Sequence, residues 1–98
     1  MLNINVDKTV EELLKKYFLS SEALTKETIK DILLERKRKY KLELYQILRK
    51  YGATNSIHFE ELIKSGEVPE HPAWEELIEV ENIQLELKEI EEDLGKLL

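Results

Sequence analysis

The 98-residue chain contains no cysteine. That excludes disulfides, thiolate nucleophiles and cysteine-ligated zinc, and it fits a cytoplasmic protein. Glycine occurs three times and proline twice, so helix breakers are scarce and long helices are favoured. No apolar run approaches the roughly 20 residues that span a bilayer, so no membrane segment is expected. The start, MLNINVDKTVEELL, has neither a basic leader nor a long apolar core, and reads as no signal peptide. Histidine is scarce too. His58 and His71 stand 13 positions apart, outside any His-x-x-x-His spacing. Glu60, Glu61 and Glu70 are near them, yet surface histidines are the simpler reading and no metal or cofactor is expected.

What is abundant is charge. Hydrophobic residues make up 42% and charged residues 37%, the balance of a folded protein rather than a disordered one. The excess of Lys and Glu is of the thermophilic kind. A chain this short buries a modest core, so oligomerisation, most simply a homodimer, is expected to add stability. The net charge of −6 is uneven: residues 1–65 carry +3 and residues 66–98 carry −9. The acidic third repels nucleic acid and anionic membrane and favours a basic partner.

The most regular stretch is the last. Apolar residues recur at Val80, Ile83, Leu87, Ile90, Leu94 and Leu97 in steps of three and four, the a/d seam of a heptad helix. Leu77 and Ile78 extend the stripe and Trp74 anchors its start, with Pro72 suited to the first helical position. Gln84, Glu86, Glu91 and Asp93 flank the seam. Two copies side by side and parallel would set those acids against each other. The seam therefore calls for a basic partner, either in cis from residues 26–51 or in trans from another protein. Trp74, Val80, Ile83, Leu87, Ile90, Leu94, Glu86 and Glu91 are the candidate partner-binding residues. An exposed Leu85 widens the apolar surface. Adjacent acids such as Glu75 and Glu76 point about 100° apart on a helix and do not form a catalytic dyad.

The rest of the chain is also helical in pattern. Leu2, Ile4 and Val6 alternate with Asn3 and Asn5, giving a short strand or an extended arm. Asp7 is a capping residue and Thr9-x-x-Glu12 reads as a capping box. Val10, Leu13, Leu14, Tyr17 and Phe18 then form the stripe of a first helix. Ser20 and Ser21 mark a turn. Thr25 caps a long helix over 26–51, about 39 Å at ~1.5 Å per residue, ended by Gly52. One stripe on it is Ile29, Leu33, Arg36, Tyr40, Leu44, Ile47 and Tyr51. A second row is Leu34, Arg38, Leu42, Tyr45 and Leu48. Ser56 is expected to cap a short helix bearing Phe59, Leu62 and Ile63, closed by Gly66.

Five of the six residues from Arg36 to Lys41 are basic, with Tyr40 among them. Arg36, Lys37, Arg38, Lys39 and Lys41 suit a phosphate-tracking patch with a stacking aromatic. They also circle the helix for nearly two turns. Pairing with the acidic helix, with the remainder in solvent, is then the simpler fate, and the negative total charge favours it. Among the remaining residues there is no phosphate loop, nucleophile elbow or catalytic triad, so an enzyme is not expected.

Lys50-Tyr51-Gly52, Phe59-Glu60-Glu61 and Trp74-Glu75-Glu76 follow one another over Leu48 to Glu81. This layout resembles small helical prokaryotic antitoxin-like proteins encoded beside a toxin, over about half the chain. The resemblance implies a non-catalytic module that neutralises a basic toxin surface with its acidic helix. Residues 1–25 lie outside it, and the final helix is longer than the pattern implies. Two other readings stay open. A strand followed by two helices is the order of a ribbon-helix-helix DNA-binding dimer, with Asn3 and Asn5 reading the major groove, although the strand carries no basic residue. A ligand-free helical scaffold is the third. The expected fold is all-α: four helices, the two long ones an antiparallel hairpin, with a possible N-terminal strand or arm. Its divisions are 1–24 for the arm and first helix, 25–52 for the long basic helix, 53–71 for the short helix and connector, and 72–98 for the acidic heptad helix.

Overall fold

Twenty-five consecutive residues without a helix breaker, preceded by Thr25 and followed by Tyr51 and Gly52, become one uninterrupted helix. A computed structural model describes residues 8–16 and 25–97, with backbone alone for Leu14 and Lys15. The described residues form helices α1 (Lys8–Lys16), α2 (Lys26–Lys50), α3 (Ser56–Lys64) and α4 (Glu70–Lys96), and no strand. The expected strand at Leu2–Val6, Asp7, Tyr17, Phe18, the serine turn and Leu98 lie outside the described residues. Thr9 is already helical in α1, so the capping box expected there does not start the helix.

The ends of the helices follow local chemistry. The Thr25 side chain accepts a hydrogen bond from the Thr28 amide at 3.2 Å, satisfying one of the free donors of the first turn. At the other end Gly52 takes a φ of +69°, which a side chain would resist. That lets Ala53 N–H reach the Leu48 carbonyl at 2.9 Å and Gly52 N–H reach Arg49 at 3.2 Å, a Schellman closure. Helix α3 ends the same way on Gly66, with Glu67 bonded to Leu62 and Gly66 to Ile63. Its N-cap is Asn55, whose side chain accepts from His58 N–H at 2.8 Å, rather than Ser56, which is the first helical residue. Helix α4 has an extended residue, His71, before a cis bond to Pro72, and its regular part begins there.

The two long helices form the expected antiparallel hairpin, since the start of α2 meets the end of α4. The heptad seam is what α2 covers. Two clusters hold the hairpin at its ends. At the open end Val10 and Leu13 of α1 pack on Ile29, Leu33, Ile90 and Leu97, with Tyr40 and Leu94 against them. At the turn end Phe59 and Ile63 of α3 pack on Leu48, Ala73, Leu77 and Val80, with Leu44, Ile47, Tyr51 and Trp74 around them. Each fully buried Leu, Ile, Val or Phe contributes roughly 1.5–3 kcal/mol, so each short helix adds a few kcal/mol where it docks. The molecule is a rod of 61 × 18 × 16 Å. Its middle consists of α2 and α4, with Ile83 buried and Leu87 half-buried between them.

Two expectations about the stripes are corrected. Arg36 faces outward, and Lys37 takes the half-buried place beside α4. Ile78 does not continue the inner stripe of α4. It lies two residues from Val80, about 200° around a helix, and is 59% exposed.

Candidate interaction surface

The seam residues proposed for partner binding are used inside the chain. Val80 and Ile90 are fully buried and Ile83 nearly so, while Leu87 and Leu94 are half-buried. The choice between a partner in cis and one in trans is settled for this surface: α2 covers it, assisted by α1 and α3. Trp74 is half-buried and joins Val68 against the α3 cluster, so it fixes the connector and the start of α4. Glu91 is bonded to Lys37 of α2. Glu86 is exposed.

The basic run divides instead of forming one patch. Lys37 turns inward to Glu91. Arg38 turns along its own helix to Glu35, with bonds of 2.7 and 3.1 Å. That pairing holds the Glu35 carboxyl below its usual range and raises the Arg38 guanidinium. Arg36 and Lys39 line an open depression of about 330 Å³ with Tyr40 and Glu43. A carboxylate in that depression weakens any claim on phosphate. Lys41 is exposed.

The three short motifs of the resemblance meet at the turn end. Lys50 Nζ reaches Glu76 Oε1 at 2.6 Å and lies 5.4 Å from the Tyr51 ring centre. The Tyr51 and Phe59 rings stack at 4.7 Å. Burial first, and the Glu76 charge second, push the Tyr51 phenol above its ordinary value. The Glu76 hydrogen bond raises Lys50. These contacts tie α2, α3 and α4 together, and their chemistry is spent on that.

The histidines serve local structure. His58 Nδ1 accepts from Thr54 N–H at 3.0 Å, and His71 Nδ1 pairs with Glu75 at 3.0 Å. Glu75 is held low first by its backbone hydrogen bond and then by His71. No group of three or more metal-ligating side chains occurs among the described residues. No described helix is long and apolar enough to cross a membrane.

The Lys37–Glu91 contact has a testable pH signature. Its hydrogen bond, opposed by desolvation and helped by the charges of Lys37 and Lys41, lowers the Glu91 carboxyl from the ordinary 4.5. A carboxyl depressed by folding stabilises above its unfolded pKa, and that contribution is lost as pH falls through the folded value. Glu91→Gln is therefore expected to lower the melting temperature at neutral pH. The gap to the parent should close as the pH falls from the ordinary 4.5 through the depressed value of the folded state. A gap that stays constant over that range would mean that the charge contributes nothing.

What remains open is the back of each long helix. On α4, Ile78 and Leu85 are 59% and 66% exposed, seven residues apart on one line. Glu75, Glu81 and Glu89, at three- and four-residue spacing around them, are exposed as well. On α2, Leu42 and Tyr45 are 50% and 59% exposed among Arg38, Lys39, Lys41 and Arg49. The sequence identified Leu85, but gave Ile78 to the core, because two adjacent apolar residues fit a stripe equally well until the partner helix is in place. Asp93, placed by the sequence among the acids flanking the seam, is buried: it is 1% exposed, with Lys16 of α1 at 2.5 Å. Its three-residue step from Ile90 and four-residue step to Leu97 were the available signal.

No curated protein and no solved structure matches the chain. A family model does, over residues 1–98. The chain belongs to the family described as Uncharacterized protein MJ0235.

Proposed function

We propose that this protein is a non-catalytic interaction module of the antitoxin-like kind, working in the cytoplasm, whose acidic helix α4 binds a basic partner protein. The binding surface is the back of α4, since the seam is already covered. The observation that carries this reading is the pair Ile78 and Leu85, both more than half exposed and ringed by Glu75, Glu81 and Glu89. Two large apolar side chains in a field of like charge suit a basic amphipathic helix laid along them, with Leu-type anchors about two turns apart. Apolar contact would supply the affinity and the acids would steer and select. The pairing of Lys37 with Glu91 and of Arg38 with Glu35 breaks the basic run up and favours this reading over nucleic-acid binding. Self-association belongs to the same proposal, because the back of α2 is also apolar and uncovered.

Co-purification from the native host tests the proposal. The tagged chain is expected to retain a small basic protein at high salt. The Ile78→Glu/Leu85→Glu variant should lose it while keeping its helical circular dichroism and melting temperature, because neither side chain is in the core. Retention of a DNA fragment instead, or equal retention by parent and variant, would overturn the assignment.

A further inference from the structure

The charge of the hairpin is divided between its two long helices. Helix α2 has nine basic and four acidic residues, and α4 has two basic and ten acidic. Lys37–Glu91 and Lys50–Glu76 are the ion pairs drawn between them. Most of the remaining charge therefore stays on the surface, positive along one helix and negative along the other.

The uncovered apolar residues are on the backs of those helices. Leu42 is two residues from Tyr40 and two from Leu44, both packed inward. Leu85 is two residues from Ile83 and two from Leu87, which are buried and half-buried. Two residues along an α-helix is about 200° around it. Both backs thus point away from the hairpin, in opposite directions. Contact between two α4 backs would set Glu75, Glu81 and Glu89 against their own copies. Contact between two α2 backs would do the same with Lys41 and Arg49, Arg38 being already paired with Glu35. Only the unlike combination joins apolar anchors and opposite charges together.

We infer that this chain self-associates head to tail, the back of α2 (Leu42, Tyr45) docking on the back of α4 (Ile78, Leu85) of a second copy. The inference rests on the reading of the α4 back as a site for basic helices, and names α2 of another copy as one such helix. Because the two faces differ and lie on opposite edges, the contact does not close on itself as a twofold dimer. It leaves one free face at each end, so the assembly grows. This replaces the homodimer expected from chain length with an open series.

Sedimentation of the full chain tests it. The weight-average mass is expected to rise with protein concentration above the 11.6 kDa monomer without levelling at a dimer, and to fall when salt is added. Two variants then separate the faces. Leu42→Glu/Tyr45→Glu blocks one and Ile78→Glu/Leu85→Glu blocks the other, at exposed sites outside the core. Each alone should remain monomeric. Their equimolar mixture should form a species of twice the monomer mass and nothing larger, since each retains one complementary face. A parent chain that is monomeric at every concentration would overturn the inference, and so would a plateau at the dimer. So would a mixture that remains monomeric while the parent assembles. Binding of a separate basic partner, lost in the Ile78→Glu/Leu85→Glu variant, would leave the reading of α4 standing in each of those cases.

Discussion

Phe59→Ala is expected to lower the free energy of unfolding by about 3–5 kcal/mol, the range for truncating a buried aromatic. Phe59 is fully buried. Its ring stacks on Tyr51, a contact of about 0.5–1.5 kcal/mol beyond burial. Around it are Leu48, Ile63, Ala73, Leu77 and Val80, drawn from three helices. The site has little freedom to collapse into the cavity. Asn55 and Gly66 hold both ends of α3, and the Lys50–Glu76 pair bridges α2 and α4 nearby. Domains of this size have about 5–15 kcal/mol in all, so the variant should unfold early in urea and be partly unfolded on mild warming. Phe59→Leu retains most of the volume and is expected to cost about 1 kcal/mol. Urea titration followed by circular dichroism distinguishes the two. A cost below about 1 kcal/mol for the alanine variant would show that α3 is an accessory to the hairpin and not its anchor.

How much of this was legible without coordinates depended on whether the cause was local. Thr25, Gly52 and Gly66 were identified as helix ends because their chemistry acts within a few residues. The cap of α3 was displaced by one position, since Asn55 and Ser56 both serve that role and the backbone decides between them. The hairpin followed from the a/d spacing of α4 and the basic helix before it. Spacing did not say which of Leu77 and Ile78 would turn inward, because that depends on where α2 and α3 lie. Filling of the seam from within the chain was one of the two fates it left open, and that outcome removed most of the proposed contact residues from any partner. The apolar surface left exposed on α4 is the part that breaks its own heptad pattern.

The most distant contact was the least legible, and it predicts the second large effect. Asp93 is buried on α4, with Oδ2 at 2.5 Å from Lys16 Nζ and Oδ1 at 3.6 Å from Lys96 Nζ. Lys16 also reaches Glu89 at 3.0 Å. Nothing near residue 93 announces a lysine 77 positions earlier. Lys16→Met strands most of a buried negative charge. Breaking a buried pair from one side costs about 3–5 kcal/mol, and here about 2–3 is expected because Lys96 remains and the lysine site is partly wet. Removing the charge as well should relieve that cost. Lys16→Met/Asp93→Leu, with leucine beside Ile90 and Leu97, is expected to be more stable than Lys16→Met alone. The two substitutions would then be coupled, not additive, in a double-mutant cycle of urea unfolding. Additive losses would mean that the ion pair is incidental and that Val10 and Leu13 alone hold α1. Coupling would make the pair the clamp that keeps α1 over Ile29 and Leu33, and so keeps that apolar end of the hairpin closed to other proteins while the back of α4 stays open to them.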